Sequence, residues 1–328
     1  MTSENVSEKR ILWIDVVRCL LLLWIVAFWH LQEYTQIRFT DRINYFAIQT
    51  TYGVLACFFI LSGYFAGKHR ICSMVDSLYF YKRKAARIYP LFIFSLLLFY
   101  ICRYIDAESF ICSALGFGII MHTPATLWFV CCLFFYFLVT PIILKIHHTI
   151  VAIAAGGIIS ILFLSFHMIL NADIRLFYYW FFFFGGLFIG KGEINIAEKY
   201  SWLYETIALA IYVLFASKMD ASYSMSSFIG NLAFVLFILC LVYRNNRYKT
   251  HSDRKIIDII SYSGMAIYMF HRPVFYVMEQ LFGKFSLAFA YLVCVPLVII
   301  SGWIIQSVYD KGCQYLLSRY SFFNKKGS

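Results

Sequence analysis

The chain has 328 residues, of which 62% are apolar and 14% charged, whereas an ordinary soluble domain runs at about 45–50% apolar and about 25% charged. So little charge cannot clothe a soluble surface, which excludes soluble, disordered and disulfide-framework proteins. The net charge of +11 would suit nucleic acid only if the cations served no topological purpose.

Ten apolar stretches of roughly membrane-spanning length can be read, near 11–31, 46–66, 88–104, 125–145, 149–167, 175–190, 201–217, 225–243, 262–282 and 286–308. They predict an all-α, polytopic bundle of about ten transmembrane helices. In the first stretch, preceded by Lys9 and Arg10, Asp15 and Arg18 interrupt the apolar run and no small-residue cleavage site follows. It is therefore expected to stay as a spanning helix. Asp15 and Arg18 are three apart and share a helix face; they either neutralise each other near the interface or serve a function. His30 follows Arg18 by twelve positions, about 18 Å along a helix axis, near the far end of the span. There it is either an ordinary interfacial histidine or a functional group.

The second stretch ends in Phe58-Phe59-Ile60-Leu61-Ser62-Gly63-Tyr64. Gly63 permits close helix approach and Ser62 can bond back to its own helix, so packing alone accounts for it. Six cations then fall within 67–87, among them Arg83, Lys84 and Arg87, ahead of Pro90. Pro90 is expected in the first turn of the third span. The cations either anchor a positive-inside loop or receive a phosphorylated ligand or anionic headgroups. Residues 109–121 are apolar but short, and read either as an interfacial or re-entrant piece or as an extra span. The fourth span opens on Thr126-Leu127-Trp128-Phe129-Val130, and Phe177-Tyr178-Tyr179-Trp180 marks a headgroup level later in the chain. The ninth span carries His271-Arg272-Pro273, the costliest local feature of the sequence. Pro273 frees a carbonyl about one turn back, while His271 and Arg272 must find partners or water. Glu279 lies on a similar face. The ten cysteines are scattered without a Cys-x-x-Cys pair and read as small buried apolar residues, with no metal site.

With the N-terminus inside, 20 of the 28 lysines and arginines fall on that side and six on the other, while Arg18 and Arg272 lie within spans. This asymmetry predicts both termini cytoplasmic and removes the case for nucleic acid.

In order along the chain, Trp13-Ile14-Asp15-Val16-Val17-Arg18 with His30, Phe58–Tyr64, Arg83 and Lys84 with Arg87-Ile88-Tyr89-Pro90, Leu127-Trp128-Phe129-Val130, Phe183–Gly190 and Ser263–Pro273 resemble the acyltransferase 3 family of bacterial membrane O-acyltransferases. The resemblance runs from about residue 10 to residue 310 and treats residues 1–328 as a single transmembrane domain in the bacterial cytoplasmic (inner) membrane. It implies transfer of an acyl group, usually acetyl, from acetyl-CoA or another short acyl-CoA to a sugar hydroxyl of a surface or lipid-linked polysaccharide. Acyl-CoA would be a substrate, with no cofactor held permanently. Arg18 and His30 match the residues held essential in the family, while His271, Arg272 and Asp15 are secondary candidates on their cost within spans. Arg83, Lys84, Arg87 and Ser62 would meet the donor.

The family spacing is one residue shorter than the eleven residues that separate Arg18 from His30 here. On a helix turning about 100° per residue, a step of eleven leaves two side chains about 20° apart and a step of twelve about 120°. Either a π-bulge absorbs the extra residue or the histidine is misassigned, since Trp29 holds the matching position. The competing function is export or flipping of a polysaccharide or lipid-linked intermediate. Such proteins favour paired broken spans in repeated halves, whereas Pro273 and Pro296 fall in adjacent spans.

Overall fold

Each of the ten apolar stretches folds as helix in a computed structural model that describes residues 12–36, 39–192, 201–218, 223–245 and 255–325. Lys9, Arg10, Arg38, Lys199, Arg247, Lys249, Arg254 and Lys326 of the charge count lie outside the described residues. Helix α1 (Leu12–Leu23) runs into a π turn (Trp24–Trp29) and a 3-10 turn (Leu31–Tyr34). There follow α2 (Asp41–Gly67), α3 (Met74–Ile101), α4 (Ala107–Ala114), α5 (Trp128–Lys145), α6 (Thr149–Leu170), α7 (Arg175–Tyr178) and α8 (Trp180–Lys191). The remainder is α9 (Ser201–Ala216), α10 (Met225–Asn245), α11 (Lys255–Phe282), α12 (Leu287–Phe289), a second π turn (Ala290–Cys294) and α13 (Val295–Lys325). Among the described residues extended pairing is confined to one bridge, Thr35 to Phe285.

Among the described residues, seven helical segments are long and apolar enough to cross a membrane. The other expected spans, α8, α9 and α11, are shorter or carry more polar groups. Large apolar side chains such as Ile150, Ile158, Ile161 and Ile169 on α6 are exposed, a face suited to lipid. The protein is an all-α, multi-pass membrane bundle.

Two glycine pairs, Gly63 and Gly67 on α2 and Gly186 and Gly190 on α8, let these helices meet backbone to backbone. A Cβ on Gly63 would overlap the Phe183 carbonyl oxygen, and one on Gly186 the Ile60 carbonyl oxygen. Small residues spaced four apart give this approach in membranes. The seam fixes α2, whose middle turns face the site.

One expectation fails at α3. The helix starts at Met74, where Ser73 and Asp76 form a capping box, so Pro90 is interior and Arg83, Lys84 and Arg87 are helical instead of looped. An interior proline leaves the carbonyl four residues back without its amide. For Pro90 that is Ala86, whose oxygen accepts from the Tyr309 hydroxyl. For Pro273 it is Met269, whose oxygen accepts from Ser95 Oγ at 2.8 Å. These bonds join α13 to α3 and α3 to α11.

Candidate functional site

The first helix positions both of its predicted groups. Asp15 is buried and accepts from Ser261 Oγ at 2.7 Å; Arg18 pairs with it at 3.7 Å and lies over the Phe65 ring at 5.8 Å. Beyond Leu23 the helix loosens. The His30 amide bonds to the Ile25 carbonyl, five residues back, at 2.9 Å, which is the π pattern. This π turn, Trp24–Trp29, lies between Arg18 and His30, where a bulge would take up one extra residue. Arg18 and His30 each line a cavity, and both cavities are walled in part by α2 and α11.

His30 is 8% exposed and His271 fully buried. Their rings stack 10° from parallel, with His30 Nδ1 2.7 Å from His271 Nε2. On the far side, His271 Nδ1 lies 2.6 Å from the Tyr268 carbonyl oxygen. A carbonyl only accepts, so the network assigns the proton of His271 to Nδ1. With His271 neutral, its Nε2 is an acceptor and His30 Nδ1 must donate to it. That leaves Nε2 as the basic nitrogen of His30, on a ring that lines a cavity.

That cavity has a volume of about 250 Å³, and Trp29, Thr126, Trp128, Arg175, Tyr223 and Tyr268 also line it. Thr126 Oγ1 is buried without a hydrogen-bond partner. Arg175 lies 4.2 Å over the Trp128 ring, and its Nε donates to both oxygens of Asp173 at 2.8 and 2.9 Å. A second cavity of about 100 Å³ contains Arg18, Ser62, Phe65, Phe129 and Ser261. The two share Leu55 and Tyr268. On the other side of Arg18, a more open pocket of about 520 Å³ adds Asp15, Asp258 and Trp303. Arg18 thus stands between this open pocket and an inner chamber, and His30 lies past the Leu55–Tyr268 wall.

The model of the family described as the acyltransferase domain, acyltransferase 3, matches residues 11–306. The chain belongs to this family. No curated protein and no solved structure matches it.

The site of this acyltransferase gathers some of the predicted residues and leaves others apart. Arg18 and Ser62 share a cavity, Asp15 adjoins it, and His30 and His271 touch. Arg272 turns aside to Glu33, its two terminal nitrogens donating to the two carboxylate oxygens at 2.8 Å each. Arg83, Lys84 and Arg87 line neither inner cavity; Lys84 Nζ instead lies 4.6 Å over the Phe137 ring. Four further residues line the His30 cavity. Thr126 and Trp128 stand within a motif singled out in the sequence, and Tyr268 sits three positions before His271. Arg175 had a weaker signal: an arginine two residues from Asp173 at the edge of an aromatic span. Among the described residues, no cluster of His, Cys, Asp or Glu suits a metal ion.

Proposed function

We propose that this acyltransferase moves a short acyl group, acetyl in the first instance, from acyl-coenzyme A to a hydroxyl of a surface or lipid-linked polysaccharide sugar. The observation that carries this reading is the pair of cavities that share Leu55 and Tyr268 as lining, with Arg18 in one and His30 in the other. The charge balance of the sequence supports a cytoplasmic Arg18 side, where acyl-coenzyme A is available, with both termini on that side. Membership of the family supports acyl transfer over export.

In this reading the thioester reaches inward past Arg18, whose guanidinium meets phosphate or pantetheine oxygens, with Ser62 beside it. The acceptor lies in the His30 cavity, whose aromatic walls suit the apolar face of a sugar ring. His30 Nε2 takes the hydroxyl proton as the oxygen attacks the carbonyl carbon. The C–O bond forms, the C–S bond breaks, and the proton passes from His30 to the departing sulfur, giving ester and free coenzyme A. His271 holds His30 in the required tautomer and stabilises it when protonated. Thr126 Oγ1 and Arg175 are donors for the tetrahedral oxyanion. Arg83, Lys84 and Arg87 remain available to the nucleotide end at the cytoplasmic surface.

Inverted inner-membrane vesicles carrying the protein, given radiolabelled acetyl-CoA, test this. Base-labile label is expected in carbohydrate material with the wild type, and not with His30→Ala at equal abundance. Arg18→Lys is also expected to fail, because an ammonium cannot replace planar, two-pronged donation. Normal labelling by well-inserted His30→Ala protein overturns the assignment of the base.

A further inference from the structure

The wall between the two cavities has two components of different character. Tyr268 is tied down: its hydroxyl donates to the Thr126 carbonyl at 2.6 Å, its ring meets Phe129 edge-on at 5.5 Å, and its own carbonyl accepts a hydrogen bond from His271 Nδ1. Leu55 is an aliphatic side chain on α2, two turns before the glycine seam at Gly63, and 7% exposed. Phe129 lines the Arg18 side and Trp128 the His30 side, so the start of α5 straddles the same wall.

We infer that Leu55 is the gauge that sets acyl-chain length. This rests on the acyl-transfer reading above. The thioester carbon must come within reach of a hydroxyl held beside His30, so the acyl tail has to lie at the Leu55–Tyr268 neck or beyond it. On the donor side the chamber, about 100 Å³, is less than half the space beyond the neck, about 250 Å³, so a long alkyl tail finds less room there than past Leu55. Beyond the neck, a tail would occupy the space of about 250 Å³ that the acceptor needs. Tyr268 cannot retreat without breaking the bond to Thr126 and disturbing His271. Leu55 therefore decides how much follows the carbonyl through. The bonds made and broken are those of the parent reaction.

The test uses vesicles with wild type, Leu55→Ala or Leu55→Phe, each supplied in parallel with acetyl-, butyryl-, hexanoyl- and octanoyl-CoA, and reads the mass of the base-labile acyl group released. Thermal shifts of the purified chain with coenzyme A alone report folding and donor binding. The wild type is expected to use acetyl and to decline steeply with length. In Leu55→Ala the hexanoyl-to-acetyl ratio should rise about tenfold or more, the discrimination that small changes in an apolar pocket supply. Leu55→Phe should lose acetyl transfer while coenzyme A still raises its melting temperature. If Leu55→Ala transfers acetyl with an unchanged length profile, or Leu55→Phe keeps full acetyl transfer, the gauge is wrong and the acyl-transfer reading survives. If the wild type transfers no acyl group of any length, the parent reading is overturned and the gauge with it.

Discussion

His30 Nδ1 lies 2.7 Å from His271 Nε2, a contact made across 241 residues of sequence. The Tyr268 carbonyl at the far end gives the pair a direction, because it fixes which nitrogen of each neutral ring carries the proton. The two histidines therefore act as one unit, and residues that act as a unit give non-additive losses. His30→Ala should lower the transfer rate by about 10²–10⁴-fold, the usual contribution of a general base. His271→Ala should cost less and leave KM for acyl-CoA unchanged, since His271 does not line the cavity. The double variant should be no slower than His30→Ala alone. Additive losses in the rate constants would separate the two rings functionally.

A different relationship supports this pair from behind. Pro273 removes the amide that would have met the Met269 carbonyl, and the buried Ser95 supplies the missing donor. Ser95→Ala should lower stability in detergent by about 1 kcal/mol, within the range of intramembrane hydrogen bonds. In a Pro273→Ala background the helix regains its own amide, and Ser95→Ala should then cost little. Thermal unfolding of the four proteins measures this coupling. An equal cost of Ser95→Ala in both backgrounds would show that Ser95 serves some other purpose.

Much of this architecture was legible in the sequence for a simple reason: lipid penalises polar groups so heavily that each one stands out. Asp15, Arg18, His30, His271 and Arg272 were all visible as expensive residues, and the order of the motifs pointed to the family. The spacing between Arg18 and His30 even posed its own question, and a π turn lies between them. The contact between His30 and His271 was not legible, since nothing local ties residue 30 to residue 271. Nor was the fate of Arg272, because Glu33 sits in a 3-10 turn with no pattern of its own. The start of α3 was misread for a more instructive reason. Three cations and a proline look like the end of a loop, and they hid the Ser73–Asp76 capping box that begins the helix. Pro90 lies inside that helix, and the carbonyl it leaves free, that of Ala86, takes its donor from distant Tyr309.

The glycine seam makes a sharp comparison. Gly63→Ala and Gly186→Ala would each press a methyl against a partner carbonyl, so α2 and α8 must separate and carry Leu55 with them. Both variants should accumulate poorly or melt at clearly lower temperature in detergent. Gly157→Ala and Gly185→Ala meet open space and should be tolerated, with helix propensity gained from the exchange. Fluorescence-detected size exclusion after a heating step ranks all four. Wild-type melting by Gly63→Ala would mean that the close approach of α2 and α8 is not required.

Arg272 and Glu33 bring the 3-10 turn after His30 to the helix that bears His271, so this ion pair braces the two sides of the histidine contact. The arginine side chain is 12% exposed and the glutamate 54%, a half-wet pair whose strength lies in its two-pronged geometry more than in its charge. Arg272→Lys should therefore lose most of the brace despite keeping the cation. Glu33→Gln should weaken it through the lost carboxylate. Because Arg272 lines neither inner cavity, exchanging the charges with Glu33→Arg and Arg272→Glu together should recover both melting temperature and acyl transfer relative to the single variants. Recovery of stability without recovery of transfer would return Arg272 to the chemistry, beside the histidine that precedes it.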